Sequence, residues 1–353
     1  MKVGIIGASF ARAAYLPALA HVPGAEVVAI ASGRLESAQS AADAFGVPHA
    51  YDDWQTMLAN HAFDLVCIAT PTNLHAAQTL GALAAGAHVL CEKPTAMNAA
   101  EAAQMLHAAE VAGRIHMIDH ELRFNPNRAH IARMIAEGDL GQIRHVNIAN
   151  IGNSWANPAS RPKGDWWSLA DQGGGRLGAN GSHQVDMLRW WLGEVAWVTG
   201  AAPTLIPDRL DKATGTPWTA TADDLAWMGL EMASGALAQV FMSGVAAQNM
   251  GNQTQVFGSK GTITLDNADE KLWFAKAGQR FEDITQPDPN AALPGLNAGI
   301  WNVSVVAVMR EMAAAIAEGR PLARGATFRD GLANQKVLDA VRQSGTERRW
   351  VQP

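Results

Sequence analysis

The sequence predicts an α/β protein of two domains, and three observations support this. Short apolar runs alternate with helical segments over residues 1–120, which is the pattern of βαβ units and a parallel sheet. After Thr219 the pattern changes to alternating strands joined by turns, which predicts a mostly antiparallel sheet. A length of 353 residues corresponds to roughly two domains. We therefore predict a parallel-sheet domain at 1–120 and an α+β domain with a large sheet at 121–353.

Composition and charge describe an ordinary globular protein and argue against two kinds of partner. Hydrophobic residues make up 48% of the chain, and the formal net charge is -6. This acidic balance, without a Lys/Arg block, argues against a nucleic-acid partner. Cys67 and Cys91 lie inside apolar runs and are expected to be buried thiols. The chain opens on a strand and has no run of 18 apolar residues, so we expect a cytoplasmic protein without a membrane partner.

The first strand and the turn after it predict an anion site. The apolar run 3–6 leads into a turn of small residues and then into helical spacing. A strand, a tight turn and a helix start place backbone N–H groups against a pyrophosphate in dinucleotide-binding (Rossmann) domains. The three-glycine fingerprint is incomplete, because Ser9 and Arg12 stand where the later glycines would be. The residues of this turn that we expect to contact the cofactor are Gly7, Ser9, Phe10 and Ala11.

The elements that follow continue the alternation. Apolar runs without polar interruption, such as 65–69, fit parallel strands that are covered on both faces. The predicted strands are 26–31, 65–70, 88–91 and 115–118, and the predicted helices are 35–45, a helix that ends near 85, and 99–112. This order predicts a Rossmann domain.

The end of the second strand selects the cofactor. An acidic residue there would bind the ribose 2′-hydroxyl of NAD and would repel a 2′-phosphate. This chain has Ser32, Gly33 and Arg34 instead, and a hydroxyl, an open backbone and a guanidinium suit a phosphate. We predict that NADP is preferred, with NAD as the second cofactor. The alternative is that Arg34 only begins an exposed helix.

Glu92, Lys93 and Pro94 follow the predicted strand 88–91. Proline cannot donate to a strand ladder, so Pro94 ends the strand and leaves Lys93 at its carboxyl end. Open α/β sheets bind ligands at that end, and a partly desolvated lysine has the adjustable pKa that proton transfer requires. The alternative is an ordinary solvated lysine at a strand end.

In the second domain, a helix at 128–137 and a strand at 145–151 are followed by a loop rich in Pro, Gly and Ser. Trp155, Trp166 and Trp167 lie in this loop. A tryptophan cluster of this kind forms an apolar lid over a sugar or a nicotinamide, or it fills the core between domains. Both interpretations stay open at this point.

Three glycines at 173–175 precede the segment that carries His183. Ser182 is expected to cap a helix at about 187–193, which places His183 in its first turn. The partial positive charge of a helix start disfavours imidazolium, so a neutral base is predicted. His183 and Asp186 share one helical face, but no third ligand lies at a recognisable spacing, so we predict no metal site.

Strands and two helices complete the second domain. The predicted strands alternate, so one face of their sheet must be covered, and we expect a homodimer or homotetramer through that face. The predicted elements are strands at 224–232, 235–243, 253–258 and 261–265, a Pro- and Asn-rich loop at 287–294, and helices at 303–318 and 328–342.

The motifs together resemble the Gfo/Idh/MocA family, named after glucose–fructose oxidoreductase and inositol dehydrogenase. The matching segments are Ala69-Thr70-Pro71-Thr72, His75, the run 87–94 that ends in Glu-Lys-Pro, Arg123-Phe124-Asn125-Pro126, and Gly-x-His-x-x-Asp at 181–186. The resemblance covers essentially the whole chain and implies a Rossmann domain followed by an α+β domain whose sheet commonly forms the dimer face. The cofactor-lining residues that it implies are Thr70, Pro71, Asn73, His75, Glu92 and Lys93.

The resemblance also implies the chemistry. In the family the lysine lies between cofactor and substrate, and the histidine works beside it. Inositol dehydrogenase-type members carry an aspartate four residues before the histidine, where this chain has Ala179. Asn180 can hydrogen-bond a substrate hydroxyl but cannot titrate. This departure leaves two possibilities: either Lys93 and His183 manage proton transfer alone, or the chain has left the usual chemistry.

The function predicted from the sequence is an NADP-preferring oxidoreductase acting on a sugar, a polyol or a derivative. Lys93 and His183 are the predicted catalytic pair. Arg123, Trp166 and Asn180 are the predicted substrate contacts, together with the catalytic pair. The alternative is a non-catalytic NADP-binding regulator of the same fold, which the missing aspartate and the incomplete glycine turn would suit.

Overall fold

The computed structural model describes residues 1–266 and 269–353, which form two compact units. The first unit comprises Met1–Asn125 and Asp288–Leu332, and the second comprises Pro126–Pro287 and Ala333–Pro353. The predicted boundary after residue 120 lies close to the observed one. The assignment of all of 121–353 to the second domain was wrong, because the segment 288–332 returns to the first unit and contributes a helix to its core.

The first unit contains a parallel six-stranded sheet, as the alternation predicted. Its strand order is β3-β2-β1-β4-β5-β6, so the order reverses between β1 and β4. Ligands of such sheets bind outside the carboxyl ends of the strands at this reversal. The strands are β1 (Lys2–Ile6), β2 (Glu26–Ala31), β3 (His49–Tyr51), β4 (Leu65–Ile68), β5 (His88–Cys91) and β6 (His116–Ile118).

The second unit contains an eight-stranded, mostly antiparallel sheet and a separate two-stranded hairpin. The sheet order is β16-β15-β14-β13-β7-β12-β11-β8, and its one parallel pair in the described ranges is β7 with β12. The strands are β7 (Ile143–Ile151), β8 (Val195–Ala201), β9 (Asp208–Leu210), β10 (Pro217–Thr219), β11 (Leu225–Met232), β12 (Leu237–Ser243), β13 (Gly251–Gly258), β14 (Gly261–Asp266), β15 (Lys271–Lys276) and β16 (Glu282–Asp283).

Apolar core clusters lie on both faces of the first sheet, and helices contribute residues to each. The short helices α1 and α2 are joined by a π-helical turn, Ala11–Tyr15, and a second π-helical turn, Leu177–Gly181, leads into α8. The helices are α1 (Ala8–Phe10), α2 (Leu16–Leu19), α3 (Leu35–Phe45), α4 (Trp54–Asn60), α5 (His75–Ala84), α6 (Ala99–Ala112), α7 (Pro126–Ala136), α8 (Ser182–Leu192), α9 (Ile300–Glu318) and α10 (Phe328–Glu347).

Helix α9 is long and apolar enough to span a membrane by length and composition alone, the one such helix in the parts of the chain that the structure describes. The side chains of Val305, Met309 and Met312 are fully buried in a cluster with Tyr15 and Leu16 of the first unit. This packing is that of a core helix. It explains why the segment 288–332 belongs to the first unit.

Candidate active site

Gly7 makes the sharp turn between β1 and α1. Its φ is +107°, a conformation that favours glycine, and a Cβ at this position would lie 2.4 Å from the backbone oxygen of Ala69. Its N–H donates to the carbonyl of Ala31 at 2.8 Å. The backbones at the ends of β1, β2 and β4 therefore meet here at a distance that only glycine allows.

The helix start after Gly7 is open to an anion. No side chain caps α1, so its first N–H groups have no side-chain partner, and the helix continues through the π-helical turn into α2. Ser9 is exposed, Ala11 is buried, and the ring of Phe10 packs edge-on against Tyr15 with 5.3 Å between centroids. A glycine cradle and an uncapped helix start at the sheet reversal fit the pyrophosphate of a dinucleotide.

The segment that follows β2 carries no acidic side chain, and Gly33 and Arg34 in it are exposed. The N–H of Ser32 donates to the carbonyl of Tyr51 at 3.0 Å, and a Cβ on Gly33 would meet no atom within 4 Å. Arg34 is exposed, and its extended backbone begins α3. The structure thus places Ser32, Gly33 and Arg34 together, with an exposed guanidinium beside open backbone.

The loop after β4 is held by His75. Its two ring nitrogens lie 3.0 Å from the carbonyl oxygens of Thr70 and Pro94, and Thr70 also donates its hydroxyl to Gln78 at 2.6 Å. His75 is fully buried, and burial lowers its pKa. It therefore ties two loops together from behind and presents no exposed atom to a cofactor, unlike the contact that the resemblance implied.

Two other predicted cofactor residues lie on the surface of the same loop. Pro71 is half-buried and leads into a 3₁₀ turn, Thr72–Leu74, in which Asn73 is exposed. Both are placed where a bound molecule can reach them. Their contact with the cofactor stays a prediction.

Lys93 lies at the carboxyl end of β5, as predicted from Pro94. Its Nζ is 3.9 Å from Oε2 of Glu92, and its side chain is 15% exposed. Glu92 is buried and accepts a hydrogen bond from the hydroxyl of Tyr15 at 2.9 Å. Burial raises the pKa of Glu92, and the Lys93 ammonium acts in the opposite direction. Glu92 therefore supports Lys93 from inside the unit, and Lys93 is the more accessible of the two.

Arg123 does not fit its predicted role as a substrate contact. It lies in a 3₁₀ turn after β6, and its guanidinium is buried and forms an ion pair with Asp330, with 3.3 Å between Nη2 and Oδ1. The other oxygen of Asp330 accepts from the N–H and the hydroxyl of Thr327 at the start of α10. The charge of Arg123 thus anchors a helix start within the first unit.

In the second unit, the helix that carries His183 begins earlier than predicted. The π-helical turn Leu177–Gly181 runs without a break into α8, so His183 is not in a first turn. Ser182 donates its hydroxyl to the carbonyl of Gly178 at 2.6 Å, a bond back along the helix. The prediction that Ser182 caps the helix was wrong. Because His183 is not at a helix start, the helix dipole gives no reason to expect a neutral His183.

The cap of this helix comes from Asp223, which sequence reasoning missed. Asp223 Oδ2 accepts the N–H of Leu177 at 2.7 Å, and its backbone carbonyl accepts the N–H of Arg176 at 2.9 Å. Gly175, with φ +110°, allows this approach, because a Cβ there would lie 2.3 Å from Asp223 Oδ1. Burial raises the pKa of Asp223 to about 6. The helix start is therefore set by a buried carboxyl from a distant part of the chain.

His183 and Asn180 are placed on the same helical segment, one turn apart. His183 is buried, and the carbonyl of its neighbour Ser182 accepts from Asn334 of α10 at 2.7 Å, which fixes the helix. Asn180 is partly exposed, and its Oδ1 accepts from Arg176 at 3.2 Å. Ala179 supplies no carboxylate. Across the described ranges, no group of three His, Cys, Asp or Glu side chains is arranged to hold a metal ion.

The three loop tryptophans separate into two environments. Trp155 is buried, and the guanidinium of Arg176 lies 4.7 Å from its ring centroid. Trp166 and Trp167 stack with 4.2 Å between centroids and remain partly exposed. Trp155 is thus part of the packing of the second unit, and Trp166 stays our candidate for a substrate contact.

Tyr15 and Asp119 are further polar residues that sequence reasoning missed. The hydroxyl of Tyr15 is buried and donates to Glu92 at 2.9 Å. Asp119, directly after β6, is completely buried. A tyrosine among small apolar residues, whose hydroxyl needs a partner once buried, and an aspartate at the end of an apolar strand were the available signals.

Comparison with known protein families matches both units. Residues 1–120 match the oxidoreductase family with an NAD-binding Rossmann fold, GFO_IDH_MocA. Residues 129–264 match the GFO/IDH/MocA C-terminal domain.

Relatives match over nearly the full chain. Levoglucosan dehydrogenase from Pseudarthrobacter phenanthrenivorans is 27% identical over 99% of this chain and 97% of its own length. The solved structure of levoglucosan dehydrogenase in complex with NADH and L-sorbose superposes with a TM-score of 0.90, at 27% identity over 100% of this chain and 98% of that chain. An oxidoreductase domain protein from Kribbella flavida superposes with a TM-score of 0.88, at 30% identity over 99% and 98% of the two chains.

Proposed function

The chain belongs to the Gfo/Idh/MocA family of oxidoreductases, and on that premise we propose that it transfers a hydride between a nicotinamide cofactor and a carbinol or carbonyl carbon of a sugar, a polyol or a derivative. The observation that carries this proposal is Lys93 at the carboxyl end of β5, in the sheet whose reversal point has the glycine cradle at Gly7. When bound, the nicotinamide supplies or accepts the hydride.

The protein's own part is to move and hold a proton at the reacting oxygen. Lys93 polarises or deprotonates the substrate hydroxyl, and Glu92, 3.9 Å from its ammonium, stabilises the protonated form that results. His183 serves as the partner acid or base. Asn180 donates or accepts a hydrogen bond with a second hydroxyl, and Trp166 offers an apolar surface to a sugar ring. Because Ala179 supplies no carboxylate, the proton transfers fall to Lys93 and His183.

The proposed substrate class rests on side chains that can hydrogen-bond the hydroxyl groups of a sugar and on the compounds named for the relatives. Levoglucosan dehydrogenase, with its L-sorbose complex, supports a small cyclic or open-chain sugar. The test is reduced-nicotinamide absorbance measured across a panel of sugars and polyols with each cofactor. We expect turnover on at least one polyhydroxy compound, lost in Lys93→Ala. Cofactor binding without turnover on the whole panel would instead support the non-catalytic regulator.

For the cofactor, we propose a preference for NADP over NAD. The support is the exposed Arg34 at the start of α3, next to the open backbone of Gly33 and without an acidic residue at the end of β2. The levoglucosan dehydrogenase structure contains NADH, so the proposal rests on this chain's own residues. Fluorescence titration of both cofactors decides it. Tighter binding of NAD would contradict it.

For the assembly, we propose a homodimer, or a dimer of dimers, through the open face of the eight-stranded sheet. Strand β11 alternates buried and less buried residues, and its outward Trp227 lines a depression of about 900 Å³ with Leu237, Phe241, Phe257 and Trp350. An exposed apolar surface of this kind is typical of an interface.

The dimer proposal is tested by light scattering at micromolar concentration. Leu237→Asp should yield a monomer, because a carboxylate would be buried at the interface. Val111→Asp is the matched control, since Val111 is 74% exposed on α6 of the first unit. A monomeric wild-type protein would contradict the proposal.

We also propose a cytoplasmic location. The support is that Cys67 and Cys91 are both buried free thiols, as expected in a reducing compartment. Fractionation of cells that express the protein would test it, and recovery from an oxidising compartment would contradict it.

A further inference from the structure

Glu92 and Asp119 lie side by side at the carboxyl ends of two neighbouring parallel strands. The register of β5 and β6 pairs Leu90 with Met117 and Cys91 with Ile118. The next residues, Glu92 and Asp119, continue this register, and the N–H of Asp119 donates to the carbonyl of Cys91 at 2.8 Å. Neighbouring strands lie about 4.8 Å apart, so the two carboxyl groups are within reach of each other.

Both carboxyl groups point to the same apolar face of the sheet. Side chains alternate between faces along a strand. Leu90 and Met117 belong to the core cluster that contains Tyr15, whereas Cys91 and Ile118 belong to the cluster on the other face. Glu92 and Asp119 therefore return to the face of Tyr15, and both are buried.

The two carboxyl groups have unequal partners. Glu92 accepts from the Tyr15 hydroxyl at 2.9 Å and faces the Lys93 ammonium at 3.9 Å. Asp119 is fully buried, and neither of its oxygens accepts a hydrogen bond of ordinary geometry. Two adjacent carboxylates in an apolar setting cannot both keep their charge, and the one with fewer donors holds the proton.

The charges around the pair agree with this distribution. Burial and the neighbouring charges of Glu92 and Glu121 raise the pKa of Asp119 well above its ordinary value, although the Tyr15 hydroxyl acts in the opposite direction. Lys93 is the cation that acts on Glu92. The thiols of Cys67 and Cys91 also lie near the pair, and burial raises the pKa of both, so they add no charge.

We propose that Asp119 carries a proton in the resting enzyme and donates it in a hydrogen bond to Glu92, so that Glu92 retains one negative charge against Lys93. Asp119 is then a positioning residue, which acts through Glu92 on the lysine that handles the substrate proton. Of the two neighbouring carboxyl groups, only Glu92 is then ionised, and it faces the Lys93 ammonium. This inference rests on the proposed role of Lys93, whereas the location of the proton can be measured without any turnover.

The direct test is infrared spectroscopy of the full-length protein at pH 8, about two units above the pKa of about 6 of Asp223, so that Asp223 is ionised. We expect the carbonyl stretching band of a protonated carboxylic acid in the wild type and its loss in Asp119→Asn. Absence of the band from the wild type, or its persistence in the variant, would overturn the proposal. If Asp119→Asn does not fold, the wild type alone decides, because a band that disappears by pH 8 contradicts the proposal.

A second readout uses the pH profile of kcat/KM for substrate oxidation. Glu92→Gln removes the anion beside Lys93. The acidic limb of this variant's kcat/KM profile should therefore move to lower pH by about one unit or more. Asp119→Asn retains a neutral donor to Glu92, so the acidic limb of its pH profile should stay at the wild-type position. Asp119→Ala has no donor, so the acidic limb of its profile should differ from that of Asp119→Asn. A shift in Asp119→Asn as large as in Glu92→Gln would show that Asp119 is ionised and would overturn the proposal. If no substrate is turned over, the proposed function fails and the infrared result still stands.

Discussion

The two units hold their candidate site residues in different ways. In the first, Gly7, Ser32 and Lys93 each follow the end of a strand whose apolar run and terminating residue are adjacent in sequence. In the second, His183 lies inside a helix whose start is capped by Asp223, 46 residues from Leu177. The local sequence therefore sets the positions of the site residues in the first unit, and a tertiary contact sets them in the second.

This difference shows what each kind of site requires from the chain. A parallel sheet collects the carboxyl ends of its strands at one edge, so a local stop signal is enough to place a side chain there. A helix start can move by a turn when a distant side chain satisfies its first N–H groups. The helical segment after Gly7 and the one that carries His183 each contain a π-helical turn, a feature that is frequent at functional sites.

The largest expected effect is on turnover. Lys93→Ala and His183→Ala should each lower kcat by roughly 10²–10⁴-fold, the range for a positioned acid or base. Cofactor affinity should change little in His183→Ala and modestly in Lys93→Ala. The controls are Lys2→Ala, at the amino end of β1, and His107→Ala, at an exposed position on α6. Both should keep wild-type turnover. Wild-type turnover in both site variants on a verified substrate would contradict the proposed chemistry.

The local arrangement in the first unit is tested at Gly7. Gly7→Ala should lower the free energy of unfolding by more than about 3 kcal/mol and weaken cofactor binding, because backbone strain of about 1–3 kcal/mol adds to the overlap with Ala69. Gly33→Ala is the matched control for stability, since its Cβ meets nothing within 4 Å. Urea denaturation measures the free energy of unfolding of both variants, and cofactor titration measures the binding loss in Gly7→Ala. Equal effects of the two substitutions on the free energy of unfolding would contradict this expectation.

The tertiary cap in the second unit is tested by pH. Because burial raises the folded-state pKa of Asp223 from 3.8 to about 6, its contribution to stability is fully present below pH 3.8 and is lost as pH rises through about 6. Asp223→Asn keeps an acceptor for Leu177 but does not titrate. Its free energy of unfolding relative to the wild type should rise by about 3 kcal/mol over this window, at about 1.4 kcal/mol per pKa unit. A pH-independent difference in urea unfolding would contradict the raised pKa that burial gives Asp223.

The smallest effect is expected at the cofactor's ribose. Arg34→Ala should weaken NADP binding by about tenfold or more, since a charge-assisted contact contributes about 1.5–3 kcal/mol, and should leave NAD binding unchanged. Arg12→Ala is a control on the neighbouring surface, where Arg12 donates to Ser40. An equal loss for both cofactors would mean that Arg34 does not contact the 2′-phosphate.

The parts of the fold that local pattern determines could be predicted. Helices α3 and α6 were predicted with their observed ends, because each ends at a glycine in a left-handed conformation. Helix α9 was predicted as a helix but assigned to the wrong unit, since its partners Tyr15 and Leu16 lie far away in sequence. The contacts between buried polar groups could not be predicted either, because partners such as Tyr15 and Glu92 are 77 residues apart.

The central proposal is that Lys93 and His183 serve one proton transfer. The measurement that tests it most directly is kcat of Lys93→Ala/His183→Ala beside the two single variants on a verified substrate. If the two residues act as a unit, the double variant should be far less impaired than the product of the single effects, close to the worse single variant. A multiplicative loss would mean that the two residues act independently and would contradict the account.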